Sequence, residues 1–173
     1  MWLEEKELSE WAYRHCMFRE DKTKVRKLIT ESRWAYDYCK YIKDRPKIRK
    51  YITDSKWSYC YCKEVRDDPE IRKNITSSND SLWYCIDIKD RPEIRKNIID
   101  SQDAYNYCKN IKDRPEIREL ITESLWAYTY CREIRDVPEI RKNITDSQWA
   151  YWYCRYVLNR PEVRKYIKEG ECG

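Results

Sequence analysis

The sequence predicts an all-α protein, an α-solenoid built from seven 23-residue helix-turn-helix repeats. Three observations carry this. Cys16, Cys39, Cys62, Cys85, Cys108, Cys131 and Cys154 each follow the last by 23 residues, with no insertion. Serine opens every copy, at residues 9, 32, 55, 78, 101, 124 and 147, and every copy has arginine at position 18 and isoleucine at position 21, counted from that serine. Within a copy the apolar residues follow a helical period, and runs such as Trp-Ala-Tyr and Tyr-Cys break the alternation a strand needs. Units this short cannot bury a face alone, so residues 1–173 read as one repeat domain stabilised from neighbour to neighbour.

Taken in order, residues 1–8 read as an N-terminal cap, with Trp2 to Glu7 covering the outer side of the first repeat. The first half of each repeat, SxWAYxYCKxIK, predicts a helix. Positions 4, 8 and 11 (Ala35, Cys39, Ile42) share one face at i, i+4 and i+7, with Tyr38 beside them. The serine stands where an N-cap belongs, with the acidic residue before it sharing that role. The second half, DRPEIRKxIT, predicts a shorter helix opened by Pro46, Pro69, Pro92, Pro115, Pro138 or Pro161, since proline suits a first turn. Asp90 to Glu93 and Asp113 to Glu116 read as D-x-x-E capping boxes. Isoleucines at positions 17 and 21, such as Ile94 with Ile98, lie on one face. The two helices are expected to span about 11 and about 8 residues, so packing must hold them. The first repeat departs from pattern at Thr23, His15 and Arg19, and residues 169–173 read as a frayed tail.

The pattern S-x-W-A-Y-x-Y-C-x-x-I-x-x-R-P-E-I-R-x-x-I resembles short tandem helical repeats found in uncharacterised bacteriophage, other viral and bacterial proteins. The resemblance implies a helical array and a phage or viral origin. It implies no activity and no catalytic residue.

Composition narrows the function classes. The only glycines are Gly170 and Gly173, which excludes a glycine-rich phosphate loop. Thirty-six basic residues face 31 acidic ones, and the resulting +5 permits an anionic partner without demanding one. No apolar run approaches a membrane span and residues 1–11 lack a signal-peptide pattern, so a soluble protein of a reducing, cytoplasmic compartment is expected. The cysteine row reads as small reduced core residues: stacked helices sit about 10 Å apart, and a disulfide needs Cα atoms within about 7 Å. There is no CxxC, and His15 is the only histidine. No cofactor, metal or catalytic constellation is expected.

Comparing the copies separates a constant frame from a changing stripe. The arginines of position 18, Arg26 to Arg164, pair with nearby acids or form a row of phosphate clamps. The tyrosines of positions 5 and 7 pack between repeats or stack on bases. Positions 2, 6 and 10 share the face opposite the core. Position 6 runs Arg14, Asp37, Cys60, Trp83, Asn106, Thr129, Trp152. Position 10 runs Phe18, Tyr41, Glu64, Asp87, Asn110, Glu133, Tyr156. A changing stripe on a fixed frame is how repeat proteins present a binding surface. Position 3 is tryptophan in five copies but Asp80 and Asp103 in the central two, which with Asp87 marks an acidic notch for a basic peptide or a cation. The expected function is a non-catalytic scaffold for a protein or peptide partner. Two alternatives stay open: nucleic-acid binding by the basic residues of positions 9 and 12, and self-assembly by end-to-end stacking into filaments or tubes.

Overall fold

The computed structural model describes residues 4–168, and among them all regular structure is helical. Seven long helices alternate with seven short ones: α1 (Glu5–Phe18), α2 (Thr23–Arg26), α3 (Ser32–Tyr41), α4 (Pro46–Arg49), α5 (Ser55–Glu64), α6 (Pro69–Arg72), α7 (Ser78–Asp87), α8 (Pro92–Arg95), α9 (Ser101–Asn110), α10 (Pro115–Arg118), α11 (Ser124–Glu133), α12 (Pro138–Arg141), α13 (Ser147–Tyr156) and α14 (Pro161–Arg164). Two compact units divide between Asn97 and Ile98. In the first, α1, α3, α5 and α7 pack in chain order, each also against its own short helix; in the second, α9, α11 and α13 do the same. Each unit is thus a stretch of α-solenoid. Residues Glu5 to Leu8, expected as a separate cap, extend α1 by a turn. Trp2 of the expected cap and the expected tail, residues 169–173, lie outside the described residues.

The local geometry corrects three expectations. First, in each long helix from α3 on, the serine is the first helical residue, not the cap. The residue before it takes the cap position, with a side-chain bond in three helices: the Asp54 carboxylate accepts from the Trp57 amide (3.2 Å), Ser77 Oγ from the Asp80 amide (3.1 Å) and the Asp146 carboxylate from the Gln148 amide (3.0 Å). Second, the proline helices are four residues long and continue as i+3 bonds, such as Tyr51 N–H to the Ile48 carbonyl (3.0 Å). Third, Asp90–Glu93 and Asp113–Glu116 form no capping box. The cap falls on Arg91 and Arg114, held extended by the following proline, and the aspartates turn to arginine instead. The long helices also end without glycine. The amides of Ile42 and Lys43 both reach the Tyr38 carbonyl (3.0 and 3.1 Å) while Ile42 keeps a negative φ of −112°.

Positions 4, 7 and 8 of the long helix are buried, as in Ala35, Tyr38 and Cys39, with the isoleucines of positions 17 and 21 beneath them (Ile48, Ile52; Ile117, Ile121). Position 11, expected in the core at Ile42, is only half-buried, because there the helix is already turning outward. Among the described residues the thiols are free, and burial pushes those of Cys39, Cys62, Cys108 and Cys131 up to about 12. Alkylation at pH 8 is therefore expected to be at least about a hundredfold slower at these four in the folded protein than in urea, since the thiolate is the nucleophile. Site-resolved mass spectrometry checks this, and equal rates in both states would refute it.

The constant polar residues close each repeat and bond it to the next. The repeat serine accepts two backbone amides from the end of the same repeat, where the chain turns into the next long helix. Ser32 Oγ takes those of Thr53 and Asp54 (2.9 and 3.0 Å), and Ser124 Oγ those of Thr145 and Asp146 (3.0 and 3.1 Å) while donating to the Asn143 carbonyl (2.8 Å). Ser124→Ala leaves those amides without an acceptor and is expected to cost about 1–3 kcal/mol. Urea denaturation measures it, and a loss below a few tenths would show that water replaces the hydroxyl.

In four repeats the wholly buried tyrosine of position 7 donates to the position 13 aspartate of the preceding repeat: Tyr38 to Asp21 (3.0 Å), Tyr61 to Asp44 (3.0 Å), Tyr84 to Asp67 (2.8 Å) and Tyr130 to Asp113 (2.9 Å). That aspartate also holds the position 18 arginine of its own repeat, as Asp44 holds Arg49 (2.8 Å) and Asp113 holds Arg118 (3.0 Å). The same arginines reach an acid of the next repeat: Arg49 to Asp68 (3.0 Å), Arg118 to Glu139 and Arg141 to Glu162 (both 2.7 Å). Position 3 tryptophans stack on the preceding position 5 tyrosine, Trp57 on Tyr36 and Trp126 on Tyr105, at 5.4 Å between ring centroids.

Candidate functional site

The frame decides which groups remain for a partner. From Arg26 to Arg141 the arginine row is spent on the position 13 aspartates, which favours pairing over phosphate clamping; the last repeat has Asn159 in place of that aspartate. The position 7 tyrosines are inside, where no base can stack. The position 9 lysines are engaged as well. Lys63 pairs with Asp87 (2.8 Å), Lys109 with Glu133 (2.9 Å) and Lys40 with Glu64. The position 5 tyrosine adds a bond to the same acid: Tyr105 to Glu133 (2.6 Å), Tyr59 to Asp87 and Tyr36 to Glu64. Hydrogen bonds from Tyr105, Lys109 and Arg132 hold the Glu133 carboxyl down to about 2.

Three of the proposed stripe residues, Glu64, Asp87 and Glu133, are therefore bridges between repeats. The signal was present in the sequence: each acid at position 10 follows a repeat with tyrosine at 5 and lysine at 9.

The rest of the stripe divides by chemistry. Asn110 Nδ2 donates to the Asn106 carbonyl and Thr129 Oγ1 to the Leu125 carbonyl (both 2.8 Å), so these polar members turn back to their own helix. Arg14 pairs with Glu10 (2.7 Å). Asp37 and Cys60 are half-buried, and burial pushes both up, Asp37 despite the nearby Arg33 and Lys40. Most of the aromatic members face outward: in the first unit Phe18 is 76%, Tyr41 54% and Trp83 45% exposed, and in the second Tyr156 is 56% exposed, while Trp152 is half-buried against Tyr151 and Tyr156.

The acidic notch is not a set of idle charges. Asp80 is tied to the Ser77 hydroxyl (2.5 Å) and Asp87 to Lys63 and Tyr59, both in the first unit. Asp103, in the second, is buried. Trp11 lies beside His15 at 5.3 Å, so the lone histidine sits in an aromatic contact.

In the second unit Tyr128, Arg132, Trp149, Trp152 and Tyr156 line an open groove of about 560 Å³. Trp149 stacks on Tyr128 (5.6 Å) and Trp152 on Tyr156 (5.2 Å), and the Arg155 guanidinium lies 5.6 Å from the Tyr156 ring centre. The groove is built from two neighbouring repeats, so the regular stacking of long helices positions both walls. Such a surface stacks flat or apolar groups and offers guanidinium donors at its rim.

Fold and surface together define a tandem helical-repeat protein with a period of 23 residues. No protein family, curated protein or solved structure matches the chain. Among the described residues, no group of three or more His, Cys, Asp or Glu is placed to hold a metal ion, and no helix is long and apolar enough to cross a membrane.

Proposed function

We propose that this chain is a non-catalytic helical-repeat scaffold that binds a protein or peptide partner through the aromatic members of its changing stripe. One observation carries the reading. Most of the frame's polar groups are bonded to one another, as Asp44 is to Tyr61 and Arg49 and Asp113 to Tyr130 and Arg118, whereas Phe18, Tyr41, Trp83 and Tyr156 stand exposed at positions that differ from copy to copy. Exposed aromatic groups that no packing demand requires are what interfaces use for anchoring. Nucleic-acid binding has less support, because Lys40, Lys63 and Lys109 are paired with acids. The row of free thiols fits a reducing compartment.

Selection of displayed random peptides on the intact protein tests the reading. Enriched sequences are expected to bind wild type and to weaken about tenfold or more on Trp83→Ala or Trp152→Ala. Failure to enrich any sequence, or retention of RNA or DNA at low salt with no peptide bound, would overturn it.

A further inference from the structure

Four neighbouring pairs of repeats share one arrangement on the earlier side, a tyrosine at position 5 with a cation at position 9: Tyr36 with Lys40, Tyr59 with Lys63, Tyr105 with Lys109, and Tyr128 with Arg132. In three of them the later repeat supplies the matching carboxylate, Glu64, Asp87 or Glu133, which accepts from both groups. In the fourth the position of that acid is held by Tyr156, whose ring stacks on Trp152. Arg132 there donates to Tyr128 Oη (3.1 Å) and reaches sideways to Glu133 of its own repeat (2.7 Å). That carboxylate already accepts from Tyr105 and Lys109. One acid thus serves three donors, and a second guanidinium, Arg155, stands across the Tyr156 ring.

The groove at this pair is therefore the internal carboxylate site with its carboxylate left out and its walls made aromatic. Building on the peptide-binding reading, we propose that it accepts an aspartate or glutamate side chain from an acidic peptide. The incoming carboxylate takes the place that Glu64, Asp87 and Glu133 hold elsewhere, accepting from Arg132 and Tyr128. The apolar residue next to it in the peptide lies against Trp149 and Trp152. The charge-assisted bond selects the acid, and the aromatic wall supplies the buried area. Position 9 is lysine in the three satisfied pairs and arginine here, and arginine can hold a carboxylate through two donors while keeping a third for Glu133.

The test is calorimetry on the full chain with blocked nine-residue peptides carrying a central Glu between leucine and proline, and the same peptides with Gln. Glu is expected to bind about tenfold or more tightly than Gln at low salt, as one charge-assisted bond would give. Arg132→Gln removes the preference. Tyr156→Glu puts the internal acid back, and is expected to weaken the Glu peptide about tenfold while melting no lower than wild type. Trp83→Ala, in the first unit, leaves binding to this peptide unchanged. Equal binding of Glu and Gln peptides, or unchanged binding by Tyr156→Glu, overturns the carboxylate site and leaves the wider peptide surface standing. No binding by either peptide, with displayed sequences also failing, overturns both.

Discussion

Tyr61→Ala is expected to destabilise the first unit by on the order of 3–5 kcal/mol, the range for emptying a fully buried aromatic site. Tyr61 is 0% exposed, and its hydroxyl donates to Asp44 at 3.0 Å. Alanine removes the ring between two long helices and one of the donors that hold the aspartate. Against a total stability of about 5–15 kcal/mol, typical of whole domains, this loss unfolds a large share of molecules under mild denaturant. Tyr61→Phe isolates the hydroxyl. It keeps the ring, and Asp44 retains Arg49 at 2.8 Å and Arg66 at 3.5 Å, so about 1 kcal/mol is expected. Urea denaturation followed by circular dichroism, with hydrogen exchange read in α3 to α7, measures both. Two variants shifting the midpoint equally would mean that the ring contributes nothing beyond its hydroxyl.

Acid should unfold the protein over a defined range. Burial acts to raise Asp21, Asp44, Asp67 and Asp113. Hydrogen bonds and charge from their arginines, with a tyrosine hydroxyl, outweigh it and hold all four below 3.8. Glu133 is held down to about 2 from 4.5, first by its bond from Tyr105 and then by Lys109 and Arg132. Each carboxylate is a stronger acid folded than unfolded. Their stabilisation is therefore fully present above the unfolded values near 4 and is lost as pH falls through the folded ones. Asp37, raised by burial, works in the opposite direction, but it is one group against several. The urea midpoint is expected to stay level from about pH 7 to 5 and to fall steeply from about pH 4 to 2. A midpoint that stays level to pH 3 would mean that these pairs do not stabilise the fold.

The period, the two-helix unit and the helix-opening proline were legible because each is a local pattern. Ser32, Ser124 and the aspartates of position 13 were misread for the opposite reason. A serine ahead of an apolar run and an aspartate ahead of a proline resemble local caps, but their partners lie far along the chain. Ser32 meets Thr53 and Asp54, and Asp44 meets Tyr61. The arginine row was readable as paired, since an acid lies five residues before each of Arg49, Arg72 and Arg118. In the stripe, exposure of Trp83 and Tyr156 followed from their helical positions. The structural duty of Glu64, Asp87 and Glu133 did not, because it appears only when a residue is compared with a tyrosine and a lysine one repeat earlier. Asp103 shows the same limit, a charge at an outer position that is nonetheless buried.

The side-chain bonds that tie the long helices together span 17 to 28 residues, little more than one period. A chain held by contacts of such short reach closes only small loops as it folds, so the entropy lost in each closure is modest. Assembly can begin at more than one place and spread to either side. A whole 23-residue unit can be added or removed with the remaining contacts kept, and a single inserted residue would put out of step only the bonds that span it, about one period on either side, leaving the repeats beyond it in register with one another.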